Sequence, residues 1–136
     1  MSDASLNVPA RTPSFWIGWV LSALIIAFLL VDATMKLMVL PVVVETGRTL
    51  GFEGGGSARV LGFVLLISTL LYITPWTNVL GAILLTAYLG GSVATHVRVG
   101  SPLFSHTLFG VYLGVMLWGG LYLRDVRVRQ LIPLRT

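Results

Sequence analysis

The run FWIGWVLSALIIAFLLV, residues 15–31, carries no charged side chain. A helix needs about 20 largely apolar residues to cross the hydrocarbon core of a bilayer. In that solvent each backbone N–H and C=O has to be satisfied within the protein, which leaves a helix or a closed barrel. The apolar character continues to about residue 40, and three more apolar segments follow at about 57–73, 78–97 and 102–123. The second of these is short, and spans only if its ends reach the interface or the bilayer thins locally. Hydrophobic residues make up 56% of the 136 and charged ones 10%, with a mean hydropathy of +0.92. Soluble domains carry about a quarter charged residues, and one small core cannot hold this much apolar surface. The expected fold class is all-α: a transmembrane antiparallel four-helix bundle over 15–123, between a polar tail at 1–14 and a basic tail at 124–136. No repeat or second domain is visible. The first apolar run is long and lacks an A-x-A-like cleavage site, so it is read as a retained span.

The connections read as helix ends. Pro41 closes or kinks the first span, and ETGRTLGFEGGGSAR reads as a flexible loop, with Ser57 the expected N-cap of the second. ITPWTN is a tight turn in which Pro75 ends one helix and Asn78 opens the next. In RVGSP, Ser101 is the expected N-cap and Pro102 the first helical residue. With four spans, both termini and the ITPWTN turn share one side. Trp16, Trp19, Trp76, Trp118, Tyr72 and Tyr122 all fall there, as an interfacial aromatic belt would. That side also carries Arg11, Arg124, Arg127, Arg129 and Arg135, against Lys36, Arg48, Arg59 and Arg98 opposite. The small excess places both termini in the cytoplasm. No basic stripe interleaves with stacking aromatics, so nucleic acid is not an expected partner. Membrane lipids are. The absence of cysteine excludes disulfides, thiolate chemistry and cysteine-ligated clusters from this chain.

The unusual polar residues gather on the side opposite the aromatic belt. Asp32 and Lys36 are four apart in VDATMKLMVLP, so they share a helix face and an ion pair is expected. Ionisable groups within spans face the bundle interior or a water-filled space. The alternatives are a pair that only neutralises itself, a Lys36 that snorkels to headgroups, or a contact with another subunit. His96 and His106 are joined by a short turn and Arg98 lies between them. Two histidines do not make a metal or haem site without further ligands, and no metal is assigned. The candidate ligand-binding residues are therefore Asp32, Lys36, Arg59, His96, Arg98 and His106, around a polar mouth. Gly90–Gly91–Ser92 and the Gly110–Gly114 pair are read as small-residue packing patches, within the bundle or between protomers. Tyr88, Tyr112, Met35, Met38 and Met116 are read as packing residues or as lining for a lipid-facing pocket. GFEGGGS lacks the lysine and the strand-to-helix setting of a phosphate loop.

FLLVDATMKLMVLP, the following LGF, then ARVLGFVLLISTLLYITPWTNVLGAILLTAYLGGSVATHVRVGSP and the RD-R-R tail resemble the DoxX-like family of small bacterial membrane proteins. The resemblance runs from about residue 16 to 133. It implies a four-helix bundle in the bacterial cytoplasmic membrane. It also implies an association with quinone-linked or other membrane oxidoreductase complexes, or an accessory role, without an agreed catalytic set. The recurring polar positions it carries over are Lys36, His96 and Arg98. Asp32 stands where many relatives have a small residue.

Three functions fit. The first is a non-catalytic subunit or scaffold of a redox-linked membrane complex, self-associated or docked on a partner. The second is a component that binds a quinone or lipid headgroup at the polar mouth. The third is a small transporter, disfavoured because the aromatic half lacks charges to continue a path. The residues identify no reaction, and quinone is the one cofactor the second reading calls for.

Overall fold

The computed structural model describes residues 11–131. The first ten residues and residues 132–136, including Arg135, lie outside the described residues. The first helix, α1 (Pro13–Leu37), opens with proline in its first turn, where a missing N–H costs nothing. It stops before Pro41 because Val39 sits at φ +52°, a left-handed conformation that a β-branched residue rarely adopts. Pro41 then opens a separate short helix, α2 (Pro41–Thr49). The stretch read as the start of a flexible loop is therefore helical. Its alternation of Val42–Val44 with Thr46, Arg48 and Thr49 lets one side rest on protein while the other meets polar surroundings.

Helix α3 (Gly54–Ile73) begins three residues before Ser57, with Glu53 at its N-cap position. Ser57 is not the cap; its hydroxyl lies 3.5 Å from the Glu53 carbonyl within the first turn. The extra turn gives α3 20 residues, about 30 Å at 1.5 Å per residue, so this span needs no local thinning. Helix α4 (Asn78–Arg98) starts at Asn78 as expected. Neither Ser101 nor Pro102 opens an α-helix. A π-helical turn covers Leu103–Thr107, and α5 (Phe109–Arg124) follows it. Beyond Asp125, a short α6 (Val126–Leu131) turns part of the basic tail into helix.

Four segments are long and apolar enough to cross a membrane: Pro13–Leu37, Gly54–Ile73, Asn78–Arg98 and Leu103–Arg124. They close a ring in which α1 packs on α3 and α5, and α4 packs on the same two. Gly18 of α1 lies against Gly120 and Leu123 of α5, and Gly62 of α3 against Lys36 and Leu37 of α1. Gly81 of α4 lies against Leu71 and Tyr72 of α3, and Gly110 of α5 against Leu89 and Val93 of α4. Each contact joins the N-terminal half of one helix to the C-terminal half of another, as neighbours in an antiparallel bundle do.

The core is narrow: Ile25, Leu29, Leu65, Tyr72, Leu85, Leu117 and Leu121 are fully buried. Ile17, Val20, Leu24, Val60, Phe63, Ile67, Ile83 and Val115 point outward and are exposed. Apolar residues on both the inner and outer faces of the same helices identify lipid as the surrounding medium.

Candidate functional site

Asp32 and Lys36 stand one turn apart on α1, and the Lys36 ammonium donates to Asp32 Oδ1. Their side chains are 31% and 19% exposed. The pair opens on a cavity of about 570 Å³ at the end of the bundle opposite the tryptophans. Phe28, Leu29 and Met35 complete the α1 wall. From α4, Tyr88, Ser92, Thr95 and His96 line the opposite side, since positions three and four apart share a helix face. Ala58 and Leu61 of α3 and Phe109, Gly110 and Leu113 of α5 supply apolar lining.

Helix α2 roofs this space, with Val42, Val43, Val44, Thr46 and Gly47 on its lining, followed by Leu50 and Phe52. The roof is fixed at both ends. At one, the Val39 side chain fills the place where a Cβ on Gly55 would sit, its Cγ1 being 2.7 Å from that position. At the other, Arg98 Nη2 donates to the Leu50 carbonyl at 2.7 Å. Gly51 follows with φ +85°, a conformation that glycine adopts without strain.

The six candidate residues fall in different places. Asp32, Lys36 and His96 line the cavity. Arg98 fastens the segment behind α2 rather than facing the space. His106 lies with its ring centroid 6.0 Å from that of His96, edge to face. His96 Nδ1 is 2.9 Å from Ser101 Oγ, and His106 Nδ1 is 2.7 Å from Ser105 Oγ. Arg59 is exposed on α3 and does not line the cavity. Among the described residues, no three His, Cys, Asp or Glu side chains gather as a metal ligand set.

The glycine patches divide differently from a reading of packing within the bundle. A methyl group on Gly90, Gly91 or Gly114 would meet nothing within 4 Å. Gly91 and Ser92 leave room in the cavity. Gly90, Gly110 and Gly114 line a shallow groove of about 390 Å³ between α4 and α5, with Thr86 and Trp118 at one end. Of these, Gly110 is the one where an added Cβ would be crowded, 3.1 Å from the Leu89 carbonyl oxygen. Met35 and Tyr88 line the cavity, whereas Tyr112, Met38 and Met116 do not.

The aromatic end is built as a clamp. Tyr72 is fully buried rather than part of an interfacial belt, and its hydroxyl donates to the Leu117 carbonyl at 2.8 Å. Arg124 Nε donates to Ser22 Oγ at 2.9 Å. Its guanidinium lies 4.7 Å from the Trp19 ring centre and 5.4 Å from that of Tyr72. Gly18 and Gly120 allow the two backbones to approach here. Just outside, Asn78 Nδ2 donates to Asp125 Oδ2 at 3.2 Å. Arg127 also donates to Asp125, and its guanidinium holds that carboxyl below the usual carboxylate range. Trp16, Trp19 and Trp76 are exposed as a belt requires, while Trp118 Nε1 donates to Thr86 Oγ1 at 2.7 Å.

These features define a helical membrane protein with a closed aromatic end and a roofed, partly polar cavity at the other. Comparison with protein families matches the DoxX-like family over residues 20–120. The chain belongs to the DoxX-like family. Comparisons with curated proteins and with solved structures found no match.

Proposed function

We propose that this chain is a membrane-embedded binding subunit that holds an amphipathic small molecule, a quinone or a lipid. Its polar head would rest on the Asp32, Lys36 and His96 wall. The observation that carries this reading is the half-buried ion pair opening on a cavity of about 570 Å³. Well-packed interiors leave few voids larger than a water molecule, and small-molecule sites measure about 300–1,000 Å³. A space of this size is kept by small residues such as Gly91 and Ala58, where larger side chains would intrude. The Lys36 ammonium and the Tyr88 hydroxyl are donors for a carbonyl or hydroxyl head, and Leu29, Leu61 and Leu113 suit its apolar part. The chain contributes binding and orientation here, and any electron transfer belongs to a partner. The test is purification in mild detergent, followed by native mass measurement and analysis of co-extracted small molecules. A bound quinone or lipid in stoichiometric amount supports the reading. A ligand-free protein that takes up neither when supplied contradicts it.

A second reading, a non-catalytic subunit docked on a redox partner or a second copy, is favoured by the α4–α5 groove, in which Gly90 and Gly114 leave space for side chains of another helix. Native mass measurement in the same preparation tests it, and a monomer that survives gentle extraction without a partner weighs against it. The family and the basic tail support the bacterial cytoplasmic membrane with both termini inside. Single cysteines introduced at Thr12 and Thr49, probed in intact cells with an impermeant thiol reagent, test that orientation; labelling at residue 12 would reverse it.

A further inference from the structure

The roofed cavity has a wall facing the bilayer as well as a roof. On α1, Phe28 stands one turn from Asp32, at the border between the cavity side and the lipid face that bears Leu24 and Val31. Phe109 is the first residue of α5, one residue past the π-helical turn. Both line the cavity, and both are 42% exposed. Their rings meet edge to face with centroids 5.6 Å apart. At the aromatic end the same two helices are closed by backbone contact between Gly18 and Gly120. At the cavity end the seam between them is filled by two rings that turn on side-chain bonds alone. A rotamer change opens such a seam without moving a helix.

The charges inside also discriminate. Among the described residues, Asp32 and Lys36 are the Asp, Glu, Lys or Arg side chains on the lining, beside His96, and they are paired with each other. A ligand with a charged head would meet no net opposite charge, and would have to break the pair to find one. Tyr88 and Ser92 bear hydroxyls on the lining, and neither has a hydrogen-bond partner among the described residues. They are neutral groups open to a neutral ligand. Burying a charge without a counter-charge is far more costly than burying a hydrogen-bonded hydroxyl or carbonyl.

We infer that the cavity admits its ligand sideways from the bilayer, between α1 and α5 past the Phe28–Phe109 pair, and that it selects an uncharged, hydrogen-bonding head. This deepens the binding role proposed above and rests on it.

The test uses the full chain in nanodiscs of zwitterionic lipid, with empty nanodiscs as background. The probes are lauryl alcohol, lauryl phosphate and lauryl trimethylammonium, which share one tail. The alcohol is expected to bind about tenfold more tightly than either charged probe. Equal or tighter binding of a charged probe overturns the head selection and leaves the binding role standing. If no probe binds, the binding role fails together with this inference. For the route, Phe28→Cys with Phe109→Cys is joined by a cleavable bifunctional thiol reagent, in a chain that has no cysteine of its own. Joining the pair is expected to slow uptake of the alcohol about tenfold, and cleavage of the reagent to restore it; the uncrosslinked protein reports that the variant is folded. An uptake rate that does not change on joining overturns the lateral route.

Discussion

Replacing Lys36 by methionine strands the Asp32 carboxylate on a wall where its side chain is only 31% exposed. Exposed ion pairs contribute about 0–1 kcal/mol, whereas removing one partner of a buried pair costs about 3–5 kcal/mol. With Lys36 at 19% exposure and the pair closed at i, i+4 spacing, the cost falls between these limits. A destabilisation of about 2 kcal/mol is expected, about a thirtyfold change in the folding equilibrium. Adding Asp32→Asn removes the stranded charge and is expected to recover most of that loss. A titration with SDS from mixed micelles, read by tryptophan fluorescence, gives the four free energies of the cycle. The expected coupling is about 2 kcal/mol. If the two single changes sum to the double within about 0.5 kcal/mol, the residues are not paired and the polar wall is wrongly drawn.

Two further outcomes follow from other parts of the molecule. A Cβ on Gly81 would lie 2.2 Å from the Tyr72 backbone nitrogen, whereas one on Gly114 meets nothing within 4 Å. Gly81→Ala is therefore expected to lose about 3 kcal/mol or more, and Gly114→Ala to gain about 0.5–1 kcal/mol from helix propensity, both read in the same titration. Asp125 titrates below its ordinary value of 3.8, first because Arg127 donates to it. A carboxyl depressed in the folded state contributes stability above its unfolded pKa and loses it as pH falls through the folded one. The melting temperature should thus hold from neutral pH to about pH 4 and drop below 3.8. Asp125→Asn should lower the plateau and remove that part of the acid loss.

The spans were legible because lipid imposes one rule on each of them: an uninterrupted apolar run long enough to cross. The Asp32–Lys36 pair was legible for an equally local reason, its four-residue spacing on a helix. The approach of His96 to His106 followed from a short turn. Helix α2 was not legible, because PVVVETGRT is half apolar and half polar, and reads as the end of one segment and the start of a loop. What separates it is Val39 in a left-handed conformation, accommodated by the missing side chain of Gly55. Neither residue announces that role in the sequence. Arg59 sits in an arginine-bearing helix start like a site residue, yet the facing of α3 turns it outward. The clamp of Ser22, Tyr72 and Arg124 was hidden because its members lie on three helices, with Ser22 and Arg124 separated by 102 positions. Arg124 read only as one of the basic residues on the side of the termini, and only the approach of Gly18 to Gly120 shows why it reaches inward. Tyr72 likewise looked like a belt residue until its hydroxyl met the Leu117 carbonyl across the core.

The binding role turns on whether the cavity is where the ligand sits, and Gly91 offers the sharpest probe. It lines the cavity, and a Cβ added there meets nothing within 4 Å, so Gly91→Leu would start from open space and project into the cavity. The decisive measurement is the amount of quinone or lipid retained per chain, wild type against Gly91→Leu, in native mass spectra from nanodiscs. A fall from about one to near zero, with thermal stability kept or raised, is the predicted result. Equal retention by both proteins would place the ligand elsewhere and contradict the account.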